Sequence, residues 1–181
     1  MKNKIFIQKS YLMLSWAVFF LLCAGGAAMA LELKSSAFSD KGVVPRRYTC
    51  EGQNISPDLK WDGVPAATVT FALICDDPDA PMGTWVHWVV YNIPADVRGF
   101  REGMPNDETL KDGTGQGMTD FRRPGYGGPC PPPGKPHRYF FKLYALDARL
   151  DVKGNATKET VLGAMERHVL GEATLMGTYK R

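Results

Sequence analysis

Asp77 and Asp79 flank Pro78 in the run Asp76-Asp77-Pro78-Asp79-Ala80-Pro81, and His87 follows shortly after. His137 opens a second motif, His137-Arg138-Tyr139, behind a proline- and glycine-rich stretch. Two carboxylates around a proline could hold a metal, act as an acid–base pair, or simply make a turn, since Asp and Pro are common turn formers. A metal needs further oxygen or nitrogen ligands, and no spacing in the chain specifies them, so neither a metal nor another cofactor is expected. His87 sits among Val86, Trp88, Val89 and Val90 and must face either core or cleft. A lone histidine there is more often a satisfied structural residue. Its nearness to Asp77 and Asp79 adds a functional reading, because a strand, a turn and the next strand would carry that carboxylate edge towards the imidazole. A carboxylate accepting from one ring nitrogen fixes the tautomer and raises the pKa, leaving the other N–H for an anion. His168 falls late on a predicted helix, where a cation suits the dipole, and is read as structural.

The stretch Gly125-Tyr126-Gly127-Gly128-Pro129-Cys130-Pro131-Pro132-Pro133-Gly134-Lys135-Pro136 has two readings. Prolines at this density fix φ and lower the entropy of the free loop, so it could be a pre-formed binding wall with bare glycine amides. It could equally be a surface crossover that resists proteolysis. Arg122-Arg123 just before it either adds positive potential at a site edge or is a solvated pair, and the solvated pair is preferred. A Cys130 thiolate stabilised by His137 is conceivable, although flanking prolines make a poor helix terminus for it.

The elements that must position these residues are mainly strands. Leu31–Phe38 alternates apolar and polar and predicts an opening strand. Val69–Cys75 is apolar nearly throughout, which predicts a strand buried on both faces. Trp85–Ile93, ended by Pro94, and the aromatic-rich Arg138–Leu146 predict two more, and Glu172–Tyr179 a last one. Thr157–Leu170 is the predicted helix: Thr157 caps it, Val161, Leu162, Met165, Val169 and Leu170 recur at helical spacing, and Gly171 stops it. Dispersed Pro and Gly suit short strands joined by turns. No repeat, low-complexity tract or composition break divides the chain.

The first thirty residues read as a signal peptide. Lys2, Lys4 and Lys9 precede the apolar run Tyr11–Ala24 and the small-residue stretch Gly25–Ala30, which predicts cleavage before Leu31. An uncleaved anchor is the alternative, and a lipid-modified Cys23 is disfavoured by the preceding Leu22. The leader holds three of the 22 basic residues and none of the 19 acidic ones, so residues 31–181 carry 19 of each. A formally neutral domain argues against nucleic-acid or membrane-surface binding driven by bulk charge. Its three cysteines, Cys50, Cys75 and Cys130, allow one disulfide in any of three pairings, and free buried cysteine is an equally ordinary outcome.

Four motifs in order carry a resemblance: Asp77-Pro78-Asp79-Ala80-Pro81, Trp85-Val86-His87-Trp88, Tyr126-Gly127-Gly128-Pro129-Cys130-Pro131-Pro132, and Gly134 to His137-Arg138-Tyr139. They are similar to the phosphatidylethanolamine-binding protein family, that of the Raf kinase inhibitor proteins. Asn54-Ile55-Ser56-Pro57 and Leu175-Met176-Gly177-Thr178-Tyr179 resemble its bacterial branch. The resemblance implies a mainly β fold, a sandwich of two antiparallel sheets with one or two short helices spanning 31–181. It implies a small pocket for phosphate-like anions built from Asp77, His87, His137 and Tyr139, with Gly127 and Gly128 as a wall and Tyr126 and Pro129 beside them. Arg138 belongs to the motif and is expected to be partly structural. Eukaryotic members carry a further C-terminal segment near the pocket, so kinase-regulating surfaces do not transfer. Thr119-Asp120-Phe121-Arg122-Arg123 departs from the Asn-Asp-Phe-Gly pattern of bacterial members.

The expectation is an exported, periplasmic or secreted protein that is not an enzyme and binds a small anion such as phosphate or phosphoethanolamine. No Gly-x-Ser-x-Gly context supplies a nucleophile. Two alternatives stand beside it: an inhibitor of a protease or kinase acting through its protein surface, and a weak hydrolase using Asp77, His87 and His137 as acid and base. No protein target is named by the residues, and the domain after cleavage is expected not to span a membrane.

Overall fold

The computed structural model describes residues 30–181. The leader predicted over residues 1–30 lies, apart from Ala30, outside the described residues, as does Cys23. Eight strands and one α-helix follow in the order β1 (Glu32–Lys34), β2 (Leu59–Asp62), β3 (Thr70–Asp77), β4 (Trp85–Pro94), β5 (Gly99–Phe100), β6 (Gly115–Gln116), β7 (His137–Leu146), α1 (Lys158–Met165) and β8 (Val169–Tyr179). They form two antiparallel sheets, β1-β2-β5 and β6-β4-β3-β7-β8. This is the mainly β, two-sheet architecture that the resemblance implies.

The centre of the larger sheet is the segment whose sequence is apolar nearly throughout. Every residue of β3 is buried, because both faces of the strand are covered. Phe71, Leu73 and Cys75 join the core shared with Leu33, Leu59 and Trp61 of the small sheet. Ala72 and Ile74 face a second core closed by Val161 and Met165 of α1. The period of two in side-chain direction then sends Asp76 towards the helix and Asp77 towards the opposite face.

Three predicted elements are trimmed or shifted. The opening strand ends at Lys34 rather than Phe38, because Ser35 Oγ and the Ser36 amide both donate to Asp58 and turn the chain (3.2 and 3.1 Å). The helix ends at Met165, not Leu170. Thr157 caps it as expected, accepting from the Thr160 amide at 3.3 Å. Arg167 adopts a left-handed φ of 72°, and Val169 and Leu170 join β8, where Val169 pairs with Leu146. A ladder partner along the open edge of β7 outweighs the helical spacing of two residues. Gly171, the predicted stop, lies inside β8 opposite Ala145, so the last strand begins before Glu172. His168 is therefore not on the helix; it sits in the turn after it, with Nδ1 bonded to Asp147 at 2.8 Å. Among the described residues no helix is long and apolar enough to cross a membrane.

Candidate functional site

Strands β3, β4 and β7 converge on one end of the larger sheet, and each delivers one polar side chain there. Cys75 pairs with Trp88 and Asp76 with Val86, so β4 carries one extra residue, His87, at a bulge. A bulge leaves its extra residue unpaired and re-aims it. His87 is buried, and its Nδ1 lies 2.6 Å from the Gly127 carbonyl. The Gly127 amide donates back to the His87 carbonyl at 2.9 Å. A carbonyl only accepts, so Nδ1 carries the proton. The rings of Phe121 and Tyr139 stand edge-on to the imidazole at 5.4 and 5.1 Å. Burial pulls the His87 pKa below its ordinary value, against the Gly127 carbonyl and the charges of Asp77, Asp120 and Asp76.

Asp77 closes β3, and its partner is His137, not His87. The His137 Nδ1–Asp77 Oδ2 distance is 2.8 Å, with both side chains nearly buried. The other Asp77 oxygen accepts from the Asp79 amide at 2.8 Å. The expected carboxylate–imidazole pair exists, but the first residue of β7 takes the place predicted for β4, because β3 lies between the two strands and can serve either. Asp79 turns outward and receives the Arg138 guanidinium at 2.8 and 2.7 Å and the Arg138 amide at 2.9 Å. That clamp holds the Asp79 carboxyl down to about 2 and confirms the structural part of Arg138.

Between the histidines opens a cavity of about 320 Å³. Asp77, His87 and His137 give it a polar side, while Trp85, Phe121 and Pro131 are among its apolar walls. Three of the eight predicted site residues thus line the cavity directly. Tyr139 packs behind His87, fully buried, and its hydroxyl has no hydrogen-bond partner among the described residues. Burial foremost, then the Asp77 charge, pushes that phenol up, so it stays a proton donor. Tyr126 belongs to the core instead: its hydroxyl donates to the Tyr48 carbonyl at 3.0 Å and its ring meets Trp88 edge-on. The glycine amides are not bare. Gly127 N is used by His87, and Gly128 N donates to Asn54 Oδ1 at 2.8 Å. Glycine is needed at both positions by close approach, since a Cβ would lie 2.3 Å from the Phe121 ring at Gly127 and 2.2 Å from the Tyr48 carbonyl at Gly128. Pro129 is buried, with its carbonyl accepting from Cys50 N at 3.1 Å. These four residues hold the wall in place from behind.

Reading by polar residue type passed over Trp85 and Phe121, whose rings meet edge-on at 5.6 Å beside His87. The signal was present, as aromatic residues next to each motif. The arginines are not a solvated pair. Arg122 is exposed, but Arg123 is half-buried and donates to the Pro124 and Tyr126 carbonyls (3.2 and 2.9 Å), bracing the loop. Cys50 and Cys130 form a disulfide, which removes the Cys130 thiolate from the list of nucleophiles. Cys75 remains a free thiol, buried, and burial pushes its pKa well up. Among the described residues no group of three metal-ligating side chains gathers.

Fold and site together define a two-sheet β protein with a small imidazole-lined pocket at one end of its larger sheet. The chain belongs to the phosphatidylethanolamine-binding protein family, whose model matches residues 34–180. It is 58% identical over 151 residues to a UPF0098 protein of Methanothermobacter thermautotrophicus, covering 83% of this chain and 99% of that one. A UPF0098 protein of Aquifex aeolicus is 46% identical over 165 residues, covering 90% of this chain and 95% of the relative. Among solved structures, a putative phosphatidylethanolamine-binding protein homolog of Chlamydia trachomatis, CT736, superposes with a TM-score of 0.78 at 39% identity, covering 84% and 99% of the two chains. E. coli YbcL, described as a member of the mammalian PEBP family, gives 0.78 at 35% identity, covering 83% and 98%.

Proposed function

We propose that this protein is an exported binding protein that takes small phosphate-type or other anionic head groups into the pocket of Asp77, His87 and His137. The observation that carries the reading is the state of the two imidazoles. Each has Nδ1 committed to a protein acceptor, Asp77 for His137 and Gly127 for His87, and neither Nε2 has a protein partner among the described residues. A neutral ring in this tautomer offers only a lone pair at Nε2, whereas the imidazolium offers an N–H. A dianionic phosphate therefore binds best when a ring gains a proton, and a monoanionic one can donate its own hydroxyl. Either way binding takes up protons, so affinity rises as pH falls from 8 to 6.

Both Asp77 oxygens already accept from the protein, so the carboxylate works as a positioning group and the ligand needs no ammonium to balance it. Covalent catalysis finds no side-chain nucleophile here, since Cys130 is in a disulfide and the Tyr139 hydroxyl is buried and hard to ionise. A hydrolase at this place would rely on water activated by a histidine Nε2, and product formed on titration with phosphoethanolamine would reveal it. The test is to titrate the purified protein with inorganic phosphate and with phosphoethanolamine while following the histidine ring resonances. Saturable shifts of His87 and His137, stronger at pH 6 than at pH 8 and without product, are expected. Rings that stay silent with both ligands overturn the reading. Export rests on the basic, apolar and small-residue order of the first thirty residues. Protein recovered from envelope or secreted material is expected to begin at Leu31, and a Met1 start in that material contradicts cleavage.

A further inference from the structure

The wall of the pocket is held in two different ways along its length. From Tyr126 to Pro129 it is tied to the rest of the molecule by hydrogen bonds: Tyr126 hydroxyl to Tyr48, Gly127 to His87 in both directions, Gly128 to Asn54, and Cys50 to Pro129. From Pro131 to Pro136 no hydrogen bond of either backbone or side chain reaches the rest of the structure among the described residues. Four of those six residues are prolines and have no amide to offer. Yet Cys130, Pro131 and Pro132 line the cavity directly. Between the last backbone hydrogen bond at Pro129 and the start of β7 at His137, the one covalent tie is the Cys50–Cys130 disulfide, beside the Arg181 contact on Cys130 Sγ and the packing of buried Pro131.

We propose that this disulfide is a redox latch on the ligand pocket. Intact, it pins Cys130 and the following prolines against Asp77, His87 and His137; reduced, it frees residues 130–136 and the pocket loses its pre-formed outer wall. Both Cys50 and Cys130 are exposed, so a dithiol reductant can reach the bond in the folded protein. Its thiolate attacks Cys50 Sγ and displaces Cys130 as a thiolate, and the second thiol then releases Cys50 and leaves the reductant oxidised. The Arg181 guanidinium lies 3.9 Å from Cys130 Sγ and favours negative charge on the departing sulfur. Glu51, 3.8 Å from Arg181 and bonded by the Tyr179 hydroxyl, tempers that effect. Cys75 is buried on the sandwich side of β3 and does not compete for either sulfur. The hydrogen bonds behind Tyr126–Pro129 survive reduction, so the histidines keep their places while the wall over them is released.

This inference rests on the anion-binding reading but can be separated from it. Phosphate and phosphoethanolamine affinity is measured on the oxidised protein, on the protein reduced by dithiothreitol, and on Cys50→Ala/Cys130→Ala. Backbone 15N relaxation order parameters of Gly134 and Lys135 are measured in the same three samples without ligand, beside hydrogen exchange in β3, β4 and β7. Loss of a pre-organised wall is expected to weaken binding by about tenfold in the reduced protein and in the double variant, with order parameters at Gly134 and Lys135 falling towards those of a flexible segment and exchange in β3, β4 and β7 unchanged. The central strands report whether the double variant has folded. If it has not, the reduced wild type decides. Equal affinity and equal order parameters in oxidised and reduced protein overturn the latch, as does a disulfide that dithiothreitol opens only after global unfolding. If neither form binds either ligand, the anion reading falls, and the order-parameter comparison alone still upholds or overturns the latch.

Discussion

Asp76 and Asp77 are neighbours on β3, both buried, and the alternation of the strand sends them to opposite sides of the sheet. Asp76 goes under α1, where Lys142 and Lys158 hold both its oxygens: Lys142 Nζ at 2.9 and 3.0 Å and Lys158 Nζ at 2.5 Å. Asp77 goes to the pocket, where one imidazole and one backbone amide hold it. The first carboxylate is closed off by permanent cations and joins helix to sheet. The second is balanced by a group that can gain or lose a proton beside open space. Identical residue types one position apart thus become a staple and a site, and the difference lies wholly in what the opposite faces of one strand meet.

Removing each carboxylate breaks the comparison most directly. Asp76→Ala strands two ammonium groups around an apolar gap, and loss of one partner from a buried ion pair costs about 3–5 kcal/mol. Lys142 keeps about a third of its side chain exposed and can turn outward, which places the expected loss near the low end, about 3 kcal/mol. Urea unfolding measures it, and phosphate affinity of the folded variant should stay within about twofold of wild type. A variant that loses binding in proportion to stability would show that the two faces are not independent. Asp77→Asn has the reverse signature. It keeps the volume, frees the His137 ring to change tautomer, and is expected to weaken phosphate binding about tenfold, equivalent to about 1.4 kcal/mol, while unfolding shifts by about 1 kcal/mol or less.

Acid sharpens the contrast between the buried pair and the clamp next to it. Asp79 is depressed from 3.8 to about 2, chiefly by the Arg138 hydrogen bond. A depressed carboxyl contributes stability that is present above the unfolded value and lost as pH falls through the folded one. The clamp should therefore act fully above about pH 4 and fade towards pH 2. Asp79→Asn should lie below wild type by a constant amount of stability above about pH 5 and converge with it towards pH 2, as read by urea unfolding followed by circular dichroism at each pH.

The strands that build the comparison were legible in the sequence because they are long and one-sided in composition. Val69–Cys75, Trp85–Ile93 and the start of the aromatic run at Arg138 fall within one or two residues of β3, β4 and β7. The small strands β2, β5 and β6 were not read, since two to four residues carry too little alternation to separate them from loop. The residue types of the site were legible too, but not the pairing between them. Placing Asp77 against His87 assumed that sequence neighbours meet; the bulge in β4 and the central position of β3 give it to His137 instead. Likewise the glycine amides of the wall could be read only as free, because Asn54, which takes one of them, is far away in sequence. The disulfide was one of three open pairings until the wall and the turn after Tyr48 came together.

The smallest effect expected is on His87, and it separates folding from binding within one pH range. Burial lowers its folded pKa below the ordinary 6.5, so below that value the unfolded chain takes up a proton more readily than the native protein does. Stability attached to His87 is then complete above about pH 6.5 and declines as pH falls through the folded pKa, after which both states are protonated and the decline stops. The proposed anion binding should run the other way over the same interval, because protonating Nε2 supplies the donor that a phosphate needs. Acidifying from pH 7 towards 5.5 should lower the unfolding midpoint slightly in the absence of ligand and restore it in the presence of phosphate. His87→Gln, an amide that can still meet the Gly127 carbonyl, should flatten the ligand-free slope in thermal scans. If its slope matches wild type, His87 does not carry the acid sensitivity and is a packing residue at a bulge.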